Sequence, residues 1–165
     1  MAASYLLSLK DKLAHKKFAI IIISKSGTTL EPALGFRIFR ELLIKAVGIS
    51  KMRKYIVAIT DKEKGTLHDY AIKHHISRFG VPNDIGGRFS TLTPVGMFLI
   101  ILKGLDPLQV IKGAKKAKSD TLDPDLKTNS AFLYACYRNY LNTIIGLQIE
   151  NFIVYEPTLQ FVGEM

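Results

Sequence analysis

The stretch that decides the fold reads Phe18-Ala19-Ile20-Ile21-Ile22-Ile23-Ser24-Lys25-Ser26-Gly27-Thr28-Thr29. Its first half is short, apolar and largely β-branched, which predicts a strand buried on both faces of a parallel sheet. Its second half, the hydroxyl turn (residues 24–29), carries four hydroxyl side chains. An amphipathic helix is expected next, over residues 30–47. A polar turn between a strand and a helix start favours anions, so we expect it to bind phosphate without a metal.

The hydroxyl turn also has a purely structural interpretation. In that interpretation Thr28 or Thr29 caps the following helix, whose first turn contains Glu31 and Pro32. The chain has neither the Gly-Lys-Ser/Thr of a P-loop nor a Gly-x-Gly-x-x-Gly motif, which argues against nucleotide hydrolysis. On these residues alone, phosphate binding and helix capping both stay open.

The remaining pattern alternates strands with helices. Apolar runs predict two further strands, at residues 55–60 and 76–81. Periodic stretches predict helices at residues 1–17, 30–47, 66–75, 92–103, 107–119 and 128–145. This order predicts an α/β fold with a doubly wound parallel sheet. The run at residues 149–155 fits either a strand or a helix.

Composition narrows the class of protein. The chain has 165 residues, of which 48% are hydrophobic and 22% charged, as expected for a folded domain. It shows neither a secretory pattern at its start nor a membrane-length apolar run of roughly 18–20 residues, so we expect a cytoplasmic protein. Cys136 is the single cysteine, which excludes an internal disulfide, and its apolar helix predicts a core position. His68, His74 and His75 lie in a polar helix and are expected to face solvent.

The net charge of +9 raises the question of whether the chain binds nucleic acid. The lysines are spread over several segments, and the group at residues 112–118 is typical of a solvated helix face. No motif of a nucleic-acid-binding module accompanies them. A basic field that steers anionic substrates is the interpretation we adopt, with nucleic-acid binding as an alternative that rests on charge alone.

A second motif lies at residues 83–96, Asn-Asp-Ile-Gly-Gly-Arg-Phe-Ser-Thr-Leu-Thr-Pro-Val-Gly. The paired Gly86 and Gly87 permit positive φ angles and a close approach of the backbone to a ligand. Arg88 directly behind them suits a phosphate, or negative charge that develops during a reaction. The structural alternative is a Gly-Gly turn with a surface arginine.

Together the two motifs, in this order and separated by the Ile-Val-Ala-Ile-Thr-Asp strand at residues 56–61, resemble the glucose-6-phosphate isomerase family, in its shorter bacterial form. The resemblance runs from about Ser4 to Met165. The hydroxyl turn is shared with other sugar-isomerase-type (SIS) phosphosugar-binding domains. The resemblance implies a three-layer α/β/α, flavodoxin-like SIS fold, incomplete at its N-terminus, with a partial SIS domain at residues 1–120. Residues 121–165 would lead into the rest of the enzyme.

The resemblance also implies a site and a reaction. Sugar phosphate would be held by the hydroxyl turn, through Ser24, Lys25, Ser26, Thr28 and Thr29. Gly86 and Gly87 would bring backbone close to the substrate, and Arg88 would stabilise a cis-enediolate intermediate. The family interconverts glucose 6-phosphate and fructose 6-phosphate, a step of glycolysis and gluconeogenesis, without a metal or organic cofactor.

Finally, the resemblance implies that this chain is a fragment, inactive by itself. The family's first strand would precede Met1, and its catalytic glutamate would follow residue 165. The ring-opening histidine and lysine would come later still, the histidine from the partner subunit of a homodimer. Glu164 is near the position of the base, but by motif it matches an earlier family residue. The alternative function is a non-catalytic SIS module that senses a sugar phosphate; the Gly-Gly-Arg-Phe-Ser context of Arg88 favours the enzyme.

Overall fold

A computed structural model describes residues 3–160; residues 1–2 and 161–165, including Glu164, lie outside the described part. The chain divides into two compact units, Met1–Pro107 and Leu108–Met165, which are described separately. The domain boundary expected after residue 120 stays a prediction. Within residues 3–160, no helix combines the length and apolar character needed to cross a membrane.

The first unit is built around a parallel sheet of three strands in the order β1-β2-β3. Its elements are α1 (Ala3–Leu13), β1 (Ile20–Ile23), α2 (Leu30–Val47), β2 (Ile56–Asp61), α3 (Thr66–Lys73), β3 (Ser77–Val81) and α4 (Pro94–Leu102). In the register, Ile20 pairs with Ile56 and Val57 with Ser77. The predicted α/β fold with a parallel sheet is confirmed, and α2 has the predicted ends.

The core of this unit lies on one face of the sheet. Ile22 and Ala58 on neighbouring strands pack there with Leu43 of α2 and Leu67 and Ala71 of α3. Burial of these side chains is the main favourable contribution to folding. Helices α2 and α3 therefore cover the same face.

Helix α4 lies on the opposite face. Because side chains alternate along a strand, Phe79 of β3 points away from the face that α3 covers. Its ring lies 5.1 Å from that of Phe98 in α4, centroid to centroid. Helices therefore flank the sheet on both sides, as a three-layer fold requires.

The expectation that His68, His74 and His75 face solvent is wrong for His68, the one of the three that lies within α3. His68 is only 7% exposed, on the same side of the helix as the buried Leu67 and Ala71. Its Nδ1 lies 3.0 Å from Asp69 Oδ1. His74 is partly buried against the ring of Tyr70, whereas His75 is exposed. The apolar face of α3 is wide enough to include a histidine.

The second unit consists of helices and irregular chain. It contains α5 (Pro107–Leu122), α6 (Ser130–Thr143) and a 3-10 turn at Pro157–Leu159. The buried Asn129 side chain accepts a bond from Phe132 N–H and donates to Thr121 O and Asp123 O, which caps α6. Cys136 is exposed on the face of α6 that also carries Leu133, Tyr137 and Tyr140, so its predicted core position is wrong. Residues 149–155 form neither helix nor strand.

Candidate functional site

The hydroxyl turn is shaped by its own hydroxyl groups. Ser24 is buried, and its Oγ accepts a hydrogen bond from Gly27 N–H at 3.1 Å. Ser26 Oγ accepts two bonds from Thr28, one from N–H at 3.2 Å and one from Oγ1–H at 2.9 Å. Because Ser26 Oγ already accepts two hydrogen bonds, its own proton is available for a further acceptor. The exposed Ser26 is therefore set up as a donor.

Strand β2 anchors the start of this turn. Ser24 N–H donates to Ile59 O at 3.0 Å, one step beyond the end of β1. The carbonyl of Lys25 accepts from Asp61 N–H at 3.1 Å and from Thr60 Oγ1 at 3.2 Å. The turn therefore continues the hydrogen-bond ladder between β1 and β2.

Two glycines allow the turn to lie against the start of α3. Gly27 has φ +74°, and a Cβ there would lie 2.3 Å from Leu67 N. Gly65 has φ +113°, and its Cβ would lie 2.8 Å from Ser26 O. Both the backbone angle and the contact require glycine at these positions.

A cleft of about 590 Å³ opens at the carboxyl ends of the strands. Its lining residues are Lys25, Ser26, Thr29, Asp61, Lys64, Gly65 and Gly87. Thr29 occupies the N-cap position of α2 with an extended backbone but makes no capping bond with its side chain. The capping interpretation is thus right about position, yet the Thr29 hydroxyl does not satisfy the amides of the helix. Hydroxyls, two lysines and a helix N-terminus make the cleft suitable for an anion.

Asp61 is the carboxylate in this lining, and it is held as an anion. Its Oδ1 accepts from Glu63 N–H at 2.9 Å and Lys64 N–H at 3.1 Å. The bond from Glu63 N–H lowers the pKa of Asp61 most; burial opposes it, and Lys64 N–H and the charges of Lys25 and Lys64 lower the pKa further. Asp61 is therefore a structural anchor and a weak base.

The second motif follows β3 as the glycine loop (residues 82–88). The Gly87–Phe89 segment forms a 3-10 turn, in which Ser90 Oγ donates to Gly87 O. Neither Gly86 nor Gly87 has a positive φ, so this expectation is wrong: around the cleft, the glycines with positive φ are Gly27 in the hydroxyl turn and Gly65 before α3. A Cβ on Gly87 would meet nothing within 4 Å, which leaves the backbone open to the cleft.

The side chain of Lys25 joins the two motifs. Its Nζ donates to Asn83 O at 2.9 Å and to Ile85 O at 2.7 Å. The structure thereby brings Lys25, Ser26, Thr29 and Gly87 together around the cleft. Arg88 is exposed on the adjacent turn and is outside the cleft lining among the described residues.

Sequence reasoning missed the contribution of the residues after β2. Asp61, Lys64 and Gly65 line the cleft but were not among the predicted site residues. A signal was present, because Asp61 ends a strand parallel to β1, and the carboxyl ends of parallel strands meet at one edge.

Fold and site together define a parallel α/β protein with a polar cleft, lined by hydroxyls and lysines, at the carboxyl edge of its sheet. The family model described as phosphoglucose isomerase matches residues 5–164, and the chain belongs to this family.

Individual relatives agree with this assignment. The chain is 46% identical over 164 residues to glucose-6-phosphate isomerase of Mycoplasma capricolum subsp. capricolum, covering 99% of this chain and 38% of that protein. With the enzyme of Bacillus anthracis it is 45% identical, covering 99% and 36%. A solved hypothetical protein from Thermus thermophilus superposes with a TM-score of 0.76 at 31% identity, over 84% of this chain and 34% of that one. The chain thus spans a little over a third of the length of these relatives.

Proposed function

We propose that this chain carries the sugar-phosphate-binding part of a glucose-6-phosphate isomerase. The observation that carries the proposal is the cleft in which Ser26 and Thr29 lie beside Lys25, Lys64 and the backbone of Gly87. Membership of the phosphoglucose isomerase family supports the substrate class, since the relatives are named for glucose 6-phosphate. The reaction of the whole enzyme is the aldose–ketose isomerisation that yields fructose 6-phosphate.

Within this proposal some residues of the hydroxyl turn bind the phosphate and others support them. The hydroxyls of Ser26 and Thr29 and the N–H of Lys25 bind the substrate phosphate, because they border the cleft. Ser24 and Thr28 support them, since their hydroxyls bond to Gly27 N–H and Ser26 Oγ. Charge-assisted hydrogen bonds of this kind are stronger than neutral ones.

The glycine loop takes the sugar end of the substrate. Gly86 and Gly87 offer backbone without side chains, and Arg88 supplies a guanidinium that stabilises the enediolate as negative charge appears. No cofactor is needed for this proton transfer between neighbouring carbons.

For the chain alone we propose binding without turnover. Isomerisation needs a carboxylate that accepts a proton, whereas Asp61 in the cleft lining has a lowered pKa and two backbone hydrogen bonds. This feature also fits the alternative of a non-catalytic SIS module. A homodimer and a cytoplasmic location remain predictions that rest on the family.

Calorimetric titration with 6-phosphogluconate tests the proposal. Saturable binding is expected for the chain and for the control Ser50→Ala, which changes an exposed serine outside the cleft. Ser26→Ala should bind about 10–100-fold more weakly, the usual effect of losing a hydrogen bond to a charged group. Equal affinity in Ser26→Ala and Ser50→Ala would contradict the proposed phosphate site.

A coupled assay on a longer relative separates the two candidate functions, because the chain alone should be inactive under both. We expect no isomerisation above buffer by the purified chain. In a longer relative, Arg88→Ala at the matching position should lower kcat far more than ligand affinity if the site is enzymatic. A kcat that this substitution leaves unchanged would remove Arg88 from the reaction and favour the non-catalytic module.

A further inference from the structure

The side chain of Lys25 makes contacts that phosphate binding does not require. It belongs to the hydroxyl turn, yet its Nζ donates to the carbonyls of Asn83 and Ile85, 58 and 60 residues further along the chain. Ile85 directly precedes Gly86-Gly87-Arg88, and Asn83 lies two residues before Ile85. Two of the three donors of the ammonium group are therefore occupied by the glycine loop.

The backbone of the same residue is fixed from the other side. Lys25 O accepts from Asp61 N–H and from Thr60 Oγ1. Lys25 thus connects the end of β2, the hydroxyl turn and the glycine loop. These contacts hold its backbone in place while its side chain reaches across the cleft.

The glycine loop has weaker ties of its own. Ile85 N–H bonds to Pro82 O at 3.3 Å and Phe89 N–H to Gly86 O at 3.0 Å, and both bonds are local. The exposed Asn83 Nδ2 donates to Glu63 Oε2 at 3.3 Å. A stronger local bond lies at the far end of the loop, where Ser90 Oγ donates to Gly87 O at 2.6 Å. Of the bonds that join the loop to other segments, those from Lys25 Nζ are the shortest, and their donor is charged.

We propose that the Lys25 side chain is a positioning residue that sets the distance between the hydroxyl turn and the Gly86-Gly87-Arg88 segment. The consequence for ligand binding rests on the proposed function: a sugar phosphate spans both parts, whereas inorganic phosphate needs the hydroxyl turn alone. Lys25 therefore acts on the affinity for the sugar phosphate through the glycine loop, beyond the contribution of its charge.

The test compares Lys25→Met with the control variant Lys64→Met, both made in the full chain. Both variants remove one positive charge from the lining of the same cleft, but only Lys25 bonds to the glycine loop. Lys25→Arg keeps the charge and the donors. Thermal unfolding of all variants checks that each one folds.

Amide hydrogen exchange is the first measurement, and it needs no ligand. Exchange at Ile85 and Phe89 should rise about tenfold in Lys25→Met, with little change in Lys64→Met and partial recovery in Lys25→Arg. Unchanged exchange at these two amides in Lys25→Met would overturn the proposal.

Binding is the second measurement, with fructose 6-phosphate and inorganic phosphate as probes. The ratio of the two affinities should fall about tenfold in Lys25→Met and stay constant in Lys64→Met. Equal losses for both probes in Lys25→Met would show that Lys25 acts by charge alone and would overturn the positioning role. If the unchanged chain binds neither probe, the proposed function fails, while the exchange data still decide whether Lys25 positions the loop.

Discussion

The hydroxyl turn and the glycine loop are both rich in small residues, but they are held in different ways. The turn bonds to itself, extends the ladder between β1 and β2 and lies against α3 through Gly27. The loop is largely exposed and has local bonds, one bond from Asn83 Nδ2 to Glu63 Oε2 and the two from Lys25 Nζ. The proposed phosphate site is therefore preorganised by the fold, whereas the segment that carries Arg88 is tied to that site by the side chain of Lys25.

The largest effect should come from breaking the contact between the hydroxyl turn and α3. Gly27→Ala is expected to lower the free energy of unfolding by more than about 3 kcal/mol, since a Cβ would clash with Leu67 N at a positive φ. Gly104→Ala is the matched control, because Gly104 has φ +72°, close to the +74° of Gly27, and nothing lies within 4 Å of an added Cβ. Its cost should be about 1–2 kcal/mol, from the backbone angle alone. Denaturant unfolding measures both variants. Equal losses of unfolding free energy would show that the contact with Leu67 adds nothing to stability.

Ligand affinity separates the two halves of the site. Arg88→Ala should weaken 6-phosphogluconate binding by less than about fivefold, because an exposed arginine adds little to the binding of a ground-state ligand. This loss should be smaller than the roughly 10–100-fold expected for Ser26→Ala. Calorimetry measures both affinities. A greater loss of affinity in Arg88→Ala than in Ser26→Ala would contradict this expected order.

The smallest effect is expected for the stability of the chain at acidic pH, through the carboxylate of Asp61 beside the hydroxyl turn. The pKa of Asp61 in the folded chain lies below its ordinary value of 3.8, so its contribution to stability is complete above that value. The contribution is lost as the pH falls through the lowered, folded-state pKa. Asp61→Asn should therefore lose less stability than the unchanged chain between about pH 5 and pH 2. Parallel losses in urea unfolding at the two pH values would exclude a role for the Asp61 charge.

Much of this fold could be predicted because its signals are local. The isoleucine run gives β1, and the amphipathic period between Thr29 and Gly48 gives α2 with both ends. The hydroxyl turn and Asp61 end adjacent parallel strands, which places them at one edge. Four of the residues expected at the site, Lys25, Ser26, Thr29 and Gly87, do line one cleft.

The rest depends on contacts between distant parts of the chain. The partners of Lys25 Nζ lie 58 and 60 residues away, and no local pattern reveals them. The need for positive φ arises at Gly27 and Gly65, where the turn meets α3, and not in the Gly-Gly pair. His68 is buried by packing of α3 on the sheet, while Cys136 lies on an exposed face of α6.

The central claim is that the hydroxyl turn is a preformed phosphate site. Its most direct test is an NMR titration of the chain with 6-phosphogluconate, following every assigned amide. The account predicts saturable shifts concentrated in residues 25–29 and at Gly87, with hydrogen exchange in the turn already slow before ligand is added. Shifts confined to the basic helix α5, or a turn that becomes protected only when ligand is present, would contradict it.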